Sequence, residues 1–172
     1  MKSTVEDLKG RRSVRKYKKE QITREELDTV LQAGICAPTA MNRQTPIIVA
    51  VQNSEDVAQL SRLNAAFLSG QSDPFYGAPT VAVVLYEAGA RMGVQDASLV
   101  MGNLMNAAHA IGLGSCWINR GKEMFETEEG KALLKKWGVE GEYTGLACCI
   151  LGYPDEEPAM KPRKENYIYY AD

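Results

Sequence analysis

Four short apolar runs, separated by segments with a helical period, constrain the fold of this chain more than any other feature. Residues 47–51 and 81–86 are continuous apolar runs, which are typical of buried strands. Residues 115–119 and 144–151 are predicted to be the third and fourth strands. The chain has 172 residues, which suits one domain. Strands that alternate with helices predict a sheet protein of the α/β or α+β class.

The segments between the strands carry helix signals. Thr23 and Glu26 have the spacing of a capping box, so a helix is predicted to begin there, and Ser54 is predicted to cap the next helix. The longest helical period covers about 93–111 and is small and apolar nearly all round, as in a helix of the core or of a subunit interface. Its polar residues include Asp96, Asn103, Asn106 and His109. Residues 123–137 are predicted to form a single amphipathic helix.

Charge and hydropathy exclude two classes of partner. The chain has 20 Lys and Arg against 22 Asp and Glu, and its formal net charge is -2. A nucleic-acid-binding protein usually carries a basic excess. No apolar run approaches the ~20 residues that span a bilayer, and the first residues lack the apolar core of a signal peptide. We therefore expect a cytoplasmic protein with no nucleic-acid or membrane partner.

The cysteines and the histidine do not form a recognisable metal site. The chain has 4 cysteines without Cys-x-x-Cys spacing, and it has 1 histidine. The cysteines lie in apolar surroundings and are expected to be buried, reduced thiols. They are Cys36, Cys116, Cys148 and Cys149. His109 is interpreted as a buried or interface histidine, because the sequence shows no partner that would make it a catalytic base.

Residues 11–15 form a basic cluster with the sequence RRSVR. Guanidinium groups offer forked donors that match a pair of phosphate oxygens, and a serine hydroxyl adds a short donor. The cluster therefore fits a phosphate site, and its candidate ligands are Arg11, Arg12, Ser13 and Arg15. A solvated basic segment is the alternative, and it is the more frequent use of such a run. A second cationic pair beyond the last strand consists of Lys161 and Arg163.

Two loops between these basic segments suit a flat heterocyclic ligand. Residues 38–44 carry amide side chains that can read the donor and acceptor edge of a heterocycle. Residues 112–117 contain glycines that let the backbone approach a flat ligand closely. The chain has no P-loop, no dinucleotide-binding glycine pattern and no Gly-x-Ser-x-Gly elbow. Its own side chains are poorly equipped for catalysis, which indicates either a bound cofactor or no chemistry.

Five segments of the chain, in their order and spacing, resemble the nitroreductase-like flavoprotein family, in particular its short members. The segments are RRSVRKYK, APTAMNRQTP, DPFYGAPTVAVV, DASLVMGNLMNAAHAIGLGSCWI and LGYPDEEPAMKPRK. The resemblance implies an α+β (three-layer α/β) fold, in which helices flank a central mixed, mainly antiparallel sheet of four to five strands. It further implies that residues 1–172 form one FMN-binding domain of a homodimer, whose C-terminal arm, residues 161–172, packs on the partner subunit.

The resemblance also assigns residues to FMN, bound non-covalently at the subunit interface. The phosphate, the ribityl chain and the pyrimidine side of the ring are assigned to Arg11, Arg12, Ser13 and Arg15. The phosphate is further assigned to Lys161 and Arg163. A loop that reaches along the flavin from the other subunit corresponds to Pro38, Thr39, Ala40, Met41, Asn42 and Gln44. Backbone groups near the reactive edge of the flavin correspond to Leu113, Gly114 and Ser115. Asn64 is assigned to the pyrimidine edge, and an exposed helix residue is the alternative.

The function that the resemblance implies is that of an FMN-dependent oxidoreductase. NADH or NADPH donates electrons, and a small oxidised acceptor such as a nitroaromatic or a quinone receives them. The chemistry is centred on the flavin, so no catalytic side chain and no metal are assigned. A non-catalytic flavin-binding or flavin-storage dimer is one alternative, and a dimer that has lost its cofactor is another.

The chain is short where longer family members insert helices over the pocket. Only residues 87–92 lie between the second strand and the long helix. The pocket is therefore either open or covered by residues 66–77. The sequence identifies neither the physiological acceptor nor the choice between NADH and NADPH.

Overall fold

The computed structural model describes residues 4–68 and 73–171. In this part of the chain the helices are α1 (Thr4–Gly10), α2 (Arg24–Ile35), α3 (Ser54–Ala65), α4 (Gly93–Ala110), α5 (Gly121–Glu126) and α6 (Glu128–Lys136). The strands are β1 (Pro46–Val51), β2 (Thr80–Glu87), β3 (Gly114–Ile118) and β4 (Tyr143–Gly152). A short 3₁₀ turn, Ala40–Asn42, precedes β1. All four predicted strands are confirmed, each to within one residue at either end.

The strands form one antiparallel sheet in the order β1-β2-β4-β3. Val83 of β2 pairs with Val49 of β1 and with Cys148 of β4, so β2 and β4 lie at the centre. One parallel pairing occurs in the described residues, an isolated bridge between Ser13 and Ser115. The expected α+β fold, a mainly antiparallel sheet of four strands flanked by helices, is confirmed.

Helices cover both faces of the sheet and create two hydrophobic cores. Successive residues of a strand point to opposite faces. Val83 therefore packs in the core that the sheet shares with α3, α5 and α6, whereas Val84 packs in the core shared with α2 and α4. Met101 and Leu104 of α4 are fully buried. This burial confirms the central position that the small, apolar composition of the long helix predicted.

Asn53, rather than Ser54, caps α3. The backbone of Asn53 is extended, and its side-chain oxygen accepts hydrogen bonds from the N–H groups of Glu55 and Asp56. The predicted Ser54 cap is wrong by one position. Asparagine and serine are comparable N-cap residues, so residue type alone cannot separate two adjacent candidates.

The predicted single helix over residues 123–137 is two helices that meet at Thr127. Thr127 has ψ of 156°, and its hydroxyl accepts a 3.0 Å hydrogen bond from the N–H of Gly130. A Cβ atom on Gly130 would lie 2.1 Å from the carbonyl oxygen of Met124, so glycine is needed for this close reversal. The apolar period continues through the break, which is why the pattern predicted one helix.

Three of the cysteines lie where the sequence predicted. Cys116, Cys148 and Cys149 are buried, whereas Cys36 is exposed because it follows the last residue of α2. Burial raises the pKa of the Cys148 thiol to about 12, so this thiol stays protonated at neutral pH. Across residues 4–68 and 73–171, no helix combines the length and apolar character needed to cross a membrane. Over the same ranges, no group of three or more His, Cys, Asp or Glu residues is placed to hold a metal ion.

Candidate functional site

Backbone hydrogen bonds hold the N-terminal basic segment against β3 and against the residues that follow β4. The N–H of Val14 donates a 3.0 Å hydrogen bond to the carbonyl oxygen of Ser115 in β3. The N–H of Lys18 donates one of 3.0 Å to the carbonyl oxygen of Tyr153, just beyond β4. Residues 13–18 are thus held by two regions that are distant in sequence. Arg11 and Arg12 come to lie beside the C-terminal segment as a result.

An ion pair strengthens this pairing. The N–H of Asp155 donates a 2.9 Å hydrogen bond to the carbonyl oxygen of Lys16, and the two side chains approach to 2.7 Å. The side-chain hydrogen bond raises the pKa of Lys16 and lowers the pKa of Asp155. The stability that the pair adds is present at neutral pH. It is lost when the pH falls through the lowered pKa of Asp155 or rises through the raised pKa of Lys16. Solvent screening keeps this contribution small, because both side chains are exposed.

The two basic segments line a single cleft of about 350 Å³, here called the basic cleft. Its lining includes every residue that the sequence assigned to a phosphate: Arg11, Arg12, Ser13, Arg15, Lys161 and Arg163. Residues 158–160 complete the wall. The pairing of residues 13–18 explains why these distant positions meet.

Arg11, which lines the basic cleft, has one guanidinium nitrogen that is buried without a partner among the described residues. The Nη1 atom of Arg11 is inaccessible to solvent, and within the described residues nothing accepts a hydrogen bond from it. A buried cationic donor without an acceptor is costly, so this atom favours an anionic ligand. Arg12 differs, because its Nη1 atom already donates to the carbonyl oxygens of Lys9 at 2.7 Å and Arg11 at 2.6 Å.

A carboxylate lies beside the basic cleft. Glu156 accepts a hydrogen bond from the backbone N–H of Arg15. This contact holds the C-terminal segment against the N-terminal one. The negative charge of Glu156 at the same time opposes the binding of an anion in the cleft.

Residues 113–115 of the glycine-rich stretch are buried beneath the N-terminal segment, whereas Gly112 is exposed. Leu113 is 4% exposed and Ser115 is 2% exposed. A Cβ atom on Gly114 would lie 3.0 Å from the Cβ atom of Val14, so glycine lets the two segments cross more closely than any residue with a side chain. Chain packing accounts for this glycine. The assignment of Leu113, Gly114 and Ser115 to the edge of a flavin stays a prediction.

The loop at residues 38–44 contains three left-handed residues. The φ angles are 52° at Met41, 52° at Asn42 and 51° at Gln44. This conformation costs a residue with a side chain about 1–2 kcal/mol. Hydrogen bonds inside the loop offset that cost: the N–H of Gln44 donates to the hydroxyl of Thr39 at 3.0 Å, and its side-chain amide donates to Asn42 Oδ1 at 3.1 Å. Met41 is 79% exposed. The side-chain amides of Asn42 and Gln44, which are expected to contact a heterocyclic ligand, are therefore held in place by each other.

A buried carboxylate anchors this loop to α4. Asp96 is 4% exposed, and its Oδ1 atom accepts a 3.0 Å hydrogen bond from the N–H of Ala40. Asp96 lies in the first turn of α4, where the helix N-terminus stabilises a negative charge. The sequence assigned no role to Asp96. As the one acidic residue of a mainly small and apolar helix, it carried a signal that could have found it.

A second cleft, of about 610 Å³, lies beside the loop and is here called the loop cleft. It is lined by Ala40, Met41, Arg43, Thr45, residues 87–92 and Asp96. The short connection between β2 and α4 therefore forms one wall. The other proposed cover, residues 66–77, includes positions 69–72, which lie outside the described residues.

The two clefts have no lining residue in common and lie towards opposite ends of α4. The loop is anchored at Asp96 in the first turn. Gly10, just before the basic segment, packs against His109 in the last turn, where a Cβ on Gly10 would lie 3.0 Å from His109 Nε2. At 1.5 Å per residue, Asp96 and His109 are about 20 Å apart along the helix axis. Within the described residues of one chain, the loop at residues 38–44 does not line the basic cleft.

Asn64 is buried, and its interpretation as an exposed helix residue is wrong. It is 1% exposed, and its side-chain amide donates to the carbonyl oxygen of Asn119 at 2.8 Å and to the sulfur of Met124 at 3.1 Å. These bonds fix the turn after β3, where Arg120 has a left-handed φ of 78°. Asn64 lines neither cleft, and its assignment to the flavin stays a prediction.

Comparison with known proteins decides the family of the chain. The model of the Nitroreductase family matches residues 8–74 and 66–153. The chain belongs to the nitroreductase family. The resemblance seen in the sequence is confirmed.

Relatives of this nitroreductase-family chain cover nearly its whole length. A protein of Archaeoglobus fulgidus, named as an NADH dehydrogenase/NAD(P)H nitroreductase, is 31% identical over 161 residues, which are 91% of this chain and 88% of the relative. The NADPH-flavin oxidoreductase of Vibrio harveyi is 27% identical over 185 residues, covering 98% of this chain and 72% of that protein. The crystal structure of a nitroreductase with bound FMN from Bacteroides fragilis has a TM-score of 0.89 and 29% identity, and covers 100% of both chains.

Proposed function

We propose that this nitroreductase-family protein is an FMN-dependent oxidoreductase, which transfers electrons from NADH or NADPH to a small oxidised acceptor such as a nitroaromatic or a quinone. The observation that carries the proposal is the convergence of both cationic segments on the basic cleft. The relatives support it, since one is named for NADPH and flavin and a similar crystal structure contains FMN.

The basic cleft suits the phosphate end of FMN. A phosphate monoester carries about −1.5 to −2 charges at neutral pH and accepts several hydrogen bonds. The buried Nη1 atom of Arg11 offers a donor that no described residue uses. We expect the phosphate and the ribityl chain to be held by Arg11, Arg12, Ser13, Arg15, Lys161 and Arg163.

The side chains of this protein bind and orient the cofactor. FMN, when bound, supplies the two-electron redox chemistry that no side chain offers. The basic cleft fixes the phosphate end, and the loop at residues 38–44 presents the amides of Asn42 and Gln44 to the ring. Hydrogen bonds within the loop prepare these amides before any ligand arrives.

A second copy of the chain completes the site. Since the loop and the basic cleft lie towards opposite ends of α4, a neighbouring α4 that runs antiparallel would bring the loop of one copy to the basic cleft of the other. The outer side of α4 carries exposed apolar residues, among them Val94 and Leu99, 51% and 48% exposed. Exposed apolar residues that form a contiguous patch mark an interaction face, so Val94 and Leu99 are the residues of α4 that we expect at the dimer contact.

The C-terminal arm fits the same assembly. Four successive side chains of the arm are large and hydrophobic, and between 67% and 84% of each is accessible: Tyr167, Ile168, Tyr169 and Tyr170. We expect this arm to pack on the partner subunit. An isolated chain would leave these side chains in water.

Anaerobic reduction tests the redox function. Purified protein loaded with FMN is mixed with NADH or NADPH, and the flavin absorbance is followed. We expect bleaching with at least one nucleotide and recovery of colour when a nitroaromatic or a quinone is added. A protein that retains FMN but is bleached by neither nucleotide would instead be a flavin-storage dimer. A protein that takes up no FMN would contradict both functions.

Subunit mixing tests whether the site is shared. One variant, Arg11→Ala with Arg15→Ala, impairs the basic cleft, and another, Asp96→Ala, impairs the loop. If each site combines the basic cleft of one copy with the loop of the other, a heterodimer of the two variants contains one intact site. Co-expression with two affinity tags should then restore activity to about half of the native level. No restoration in the purified heterodimer would place both elements of a site in one chain.

A further inference from the structure

The loop cleft contains two arginines whose charges are unpaired. Arg43 lines it from the segment before β1, and Arg91 lines it from the connection before α4. The ion pairs found in residues 4–68 and 73–171 involve neither side chain. Two guanidinium groups are therefore available to an anionic ligand at this surface.

A buried hydroxyl in the same cleft also lacks a partner. Thr45 is 7% exposed, and its Oγ1 atom forms no hydrogen bond with any described residue. Its carbonyl oxygen accepts a 3.1 Å hydrogen bond from the N–H of Glu87, which fixes Thr45 between β1 and β2. A buried hydroxyl without a partner is costly. This rigidly held group is a candidate donor to a ligand oxygen.

The two carboxylates of the loop cleft do not neutralise the arginines. Asp96 is buried and already accepts the N–H of Ala40 at 3.0 Å. Glu87 is exposed at the end of β2. Neither forms an ion pair with Arg43 or Arg91 in the described part of the chain.

The remaining lining suits a flat apolar body. Met41 and Met92 are 79% and 39% exposed, and methionine packs adaptably against aromatic rings. Guanidinium groups also stack on aromatic faces. The cleft volume of about 610 Å³ lies within the range of small-molecule sites. The lining as a whole matches an aromatic ligand with an anionic end.

We propose that the loop cleft binds the anionic group, a carboxylate or a phosphate, of an aromatic redox ligand, with Arg43 and Arg91 as its charge partners and Thr45 as a neutral donor. This inference rests on the proposed function, because the loop that lines the cleft is the segment assigned to the flavin. The anion has two possible sources: a carboxylate on the electron acceptor, or the 2′-phosphate that distinguishes NADPH from NADH.

The acceptor arm of the test uses a pair of probes that differ in charge. FMN-loaded protein reduces 4-nitrobenzoate or the neutral 4-nitrobenzamide, and the ratio of the two kcat/KM values is measured. We expect Arg43→Gln with Arg91→Gln to lower this ratio about tenfold or more, which is the loss expected for a charged hydrogen bond. The variant with lysine at both positions should retain part of the preference for 4-nitrobenzoate over 4-nitrobenzamide. Arg24→Gln, which removes an exposed charge paired with Asp28 on α2, is the matched control.

The donor arm measures the ratio of kcat/KM for NADPH and NADH in the same variants. A fall in this ratio alone identifies the 2′-phosphate as the anion, and a fall in the acceptor ratio alone identifies the carboxylate. The proposal is overturned if both ratios stay at their native values in the double glutamine variant. It is equally overturned if Arg24→Gln lowers them as much.

A binding measurement separates this inference from the proposed function. Titration calorimetry of FMN-loaded protein with benzoate, and with adenosine 2′-phosphate, needs no turnover. We expect native protein to bind at least one of these probes, and the double glutamine variant to bind it about tenfold more weakly or worse. Native protein that binds neither probe contradicts the anion site. Native protein that fails to reduce 4-nitrobenzamide with either nucleotide contradicts the oxidoreductase function, whatever the calorimetry shows.

Discussion

The basic cleft and the loop at residues 38–44 differ in what holds their polar groups. In the basic cleft, backbone pairing of residues 13–18 with two distant regions provides the scaffold, and the Nη1 atom of Arg11 stays unpaired. In the loop, the polar side chains bond one another, and Asp96 holds the backbone. Side chains of the basic cleft are therefore free to bind a ligand, whereas side chains of the loop stabilise its left-handed backbone conformation. Substitutions should therefore affect binding in the first region and geometry in the second.

The largest effect is expected from removing charge in the basic cleft. A hydrogen bond to a charged group contributes about 1.5–3 kcal/mol, so Arg11→Ala and Arg15→Ala should each weaken FMN binding about 10–100-fold. The pair should do so by about 100-fold or more. Flavin fluorescence titration of the apoprotein measures the Kd, and circular dichroism should show an intact fold. Arg24→Ala is the control, because this exposed arginine lies on α2. Retention of FMN at native affinity by both single variants would refute the assignment.

The next largest effect should come from separating the N-terminal segment from β3. Gly114→Val places a branched side chain where even a Cβ atom alone would lie 3.0 Å from the Cβ atom of Val14. We expect destabilisation of about 1–3 kcal/mol from overpacking, together with weaker FMN binding. Gly114→Ala should show a smaller version of both effects, since a shift of a few tenths of an ångström relieves the contact. Thermal unfolding and FMN titration measure the series. Equal behaviour of alanine and valine would show that the crossing does not set the position of the basic segment.

A smaller effect is expected at the anchor of the loop. Asp96→Ala leaves the half-buried N–H of Ala40 without its acceptor, a loss of about 1 kcal/mol, near the lower end of the range for an unpaired buried donor. We expect kcat/KM to fall about tenfold, with FMN affinity falling less than in the arginine variants. Asp96→Asn keeps an oxygen acceptor and should recover part of the activity. If Asp96→Ala weakens FMN binding as strongly as Arg11→Ala, the contrast between the two regions is wrong.

The smallest effect is expected from the carboxylate beside the basic cleft. Glu156→Gln keeps an acceptor for the N–H of Arg15 but removes a charge that repels phosphate. An exposed pair of charges contributes about 0.2–1 kcal/mol, so FMN should bind up to about fivefold more tightly, and added salt should reduce the gain. Glu157→Gln changes the neighbouring charge without that contact. A gain of the same size in Glu157→Gln would point to overall charge rather than to the position of Glu156.

The sequence predicted the strands and the basic residues because their signals are local. Short, mainly apolar runs located all four strands, and residue type marked the cations that line the basic cleft. Features that depend on backbone geometry, such as a helix cap and a helix break, were predicted incorrectly. Ser54 and Asn53 are equally good caps by type, and the apolar period hid the break at Thr127.

The polar anchors were missed for a related reason. The partner of Asp96 is the backbone of Ala40, and the partner of Asn64 is the backbone of Asn119. Backbone groups occur at every position, so a sequence gives no sign of which one a side chain will meet. Only the rarity of a polar residue on an apolar helix hints at such a role.

The pairing of residues 13–18 with Ser115 and Tyr153 also constrains when the protein can acquire its cofactor. During translation the first basic segment emerges early, but β3 and the chain beyond β4 emerge much later. Until then the segment has no partners that fix its position, and Lys161 and Arg163 have not yet been synthesised. With the proposed site, FMN is captured only when synthesis is nearly complete. A prematurely terminated chain that lacks Lys161 and Arg163 would hold FMN more weakly than the full chain even where its sheet is whole.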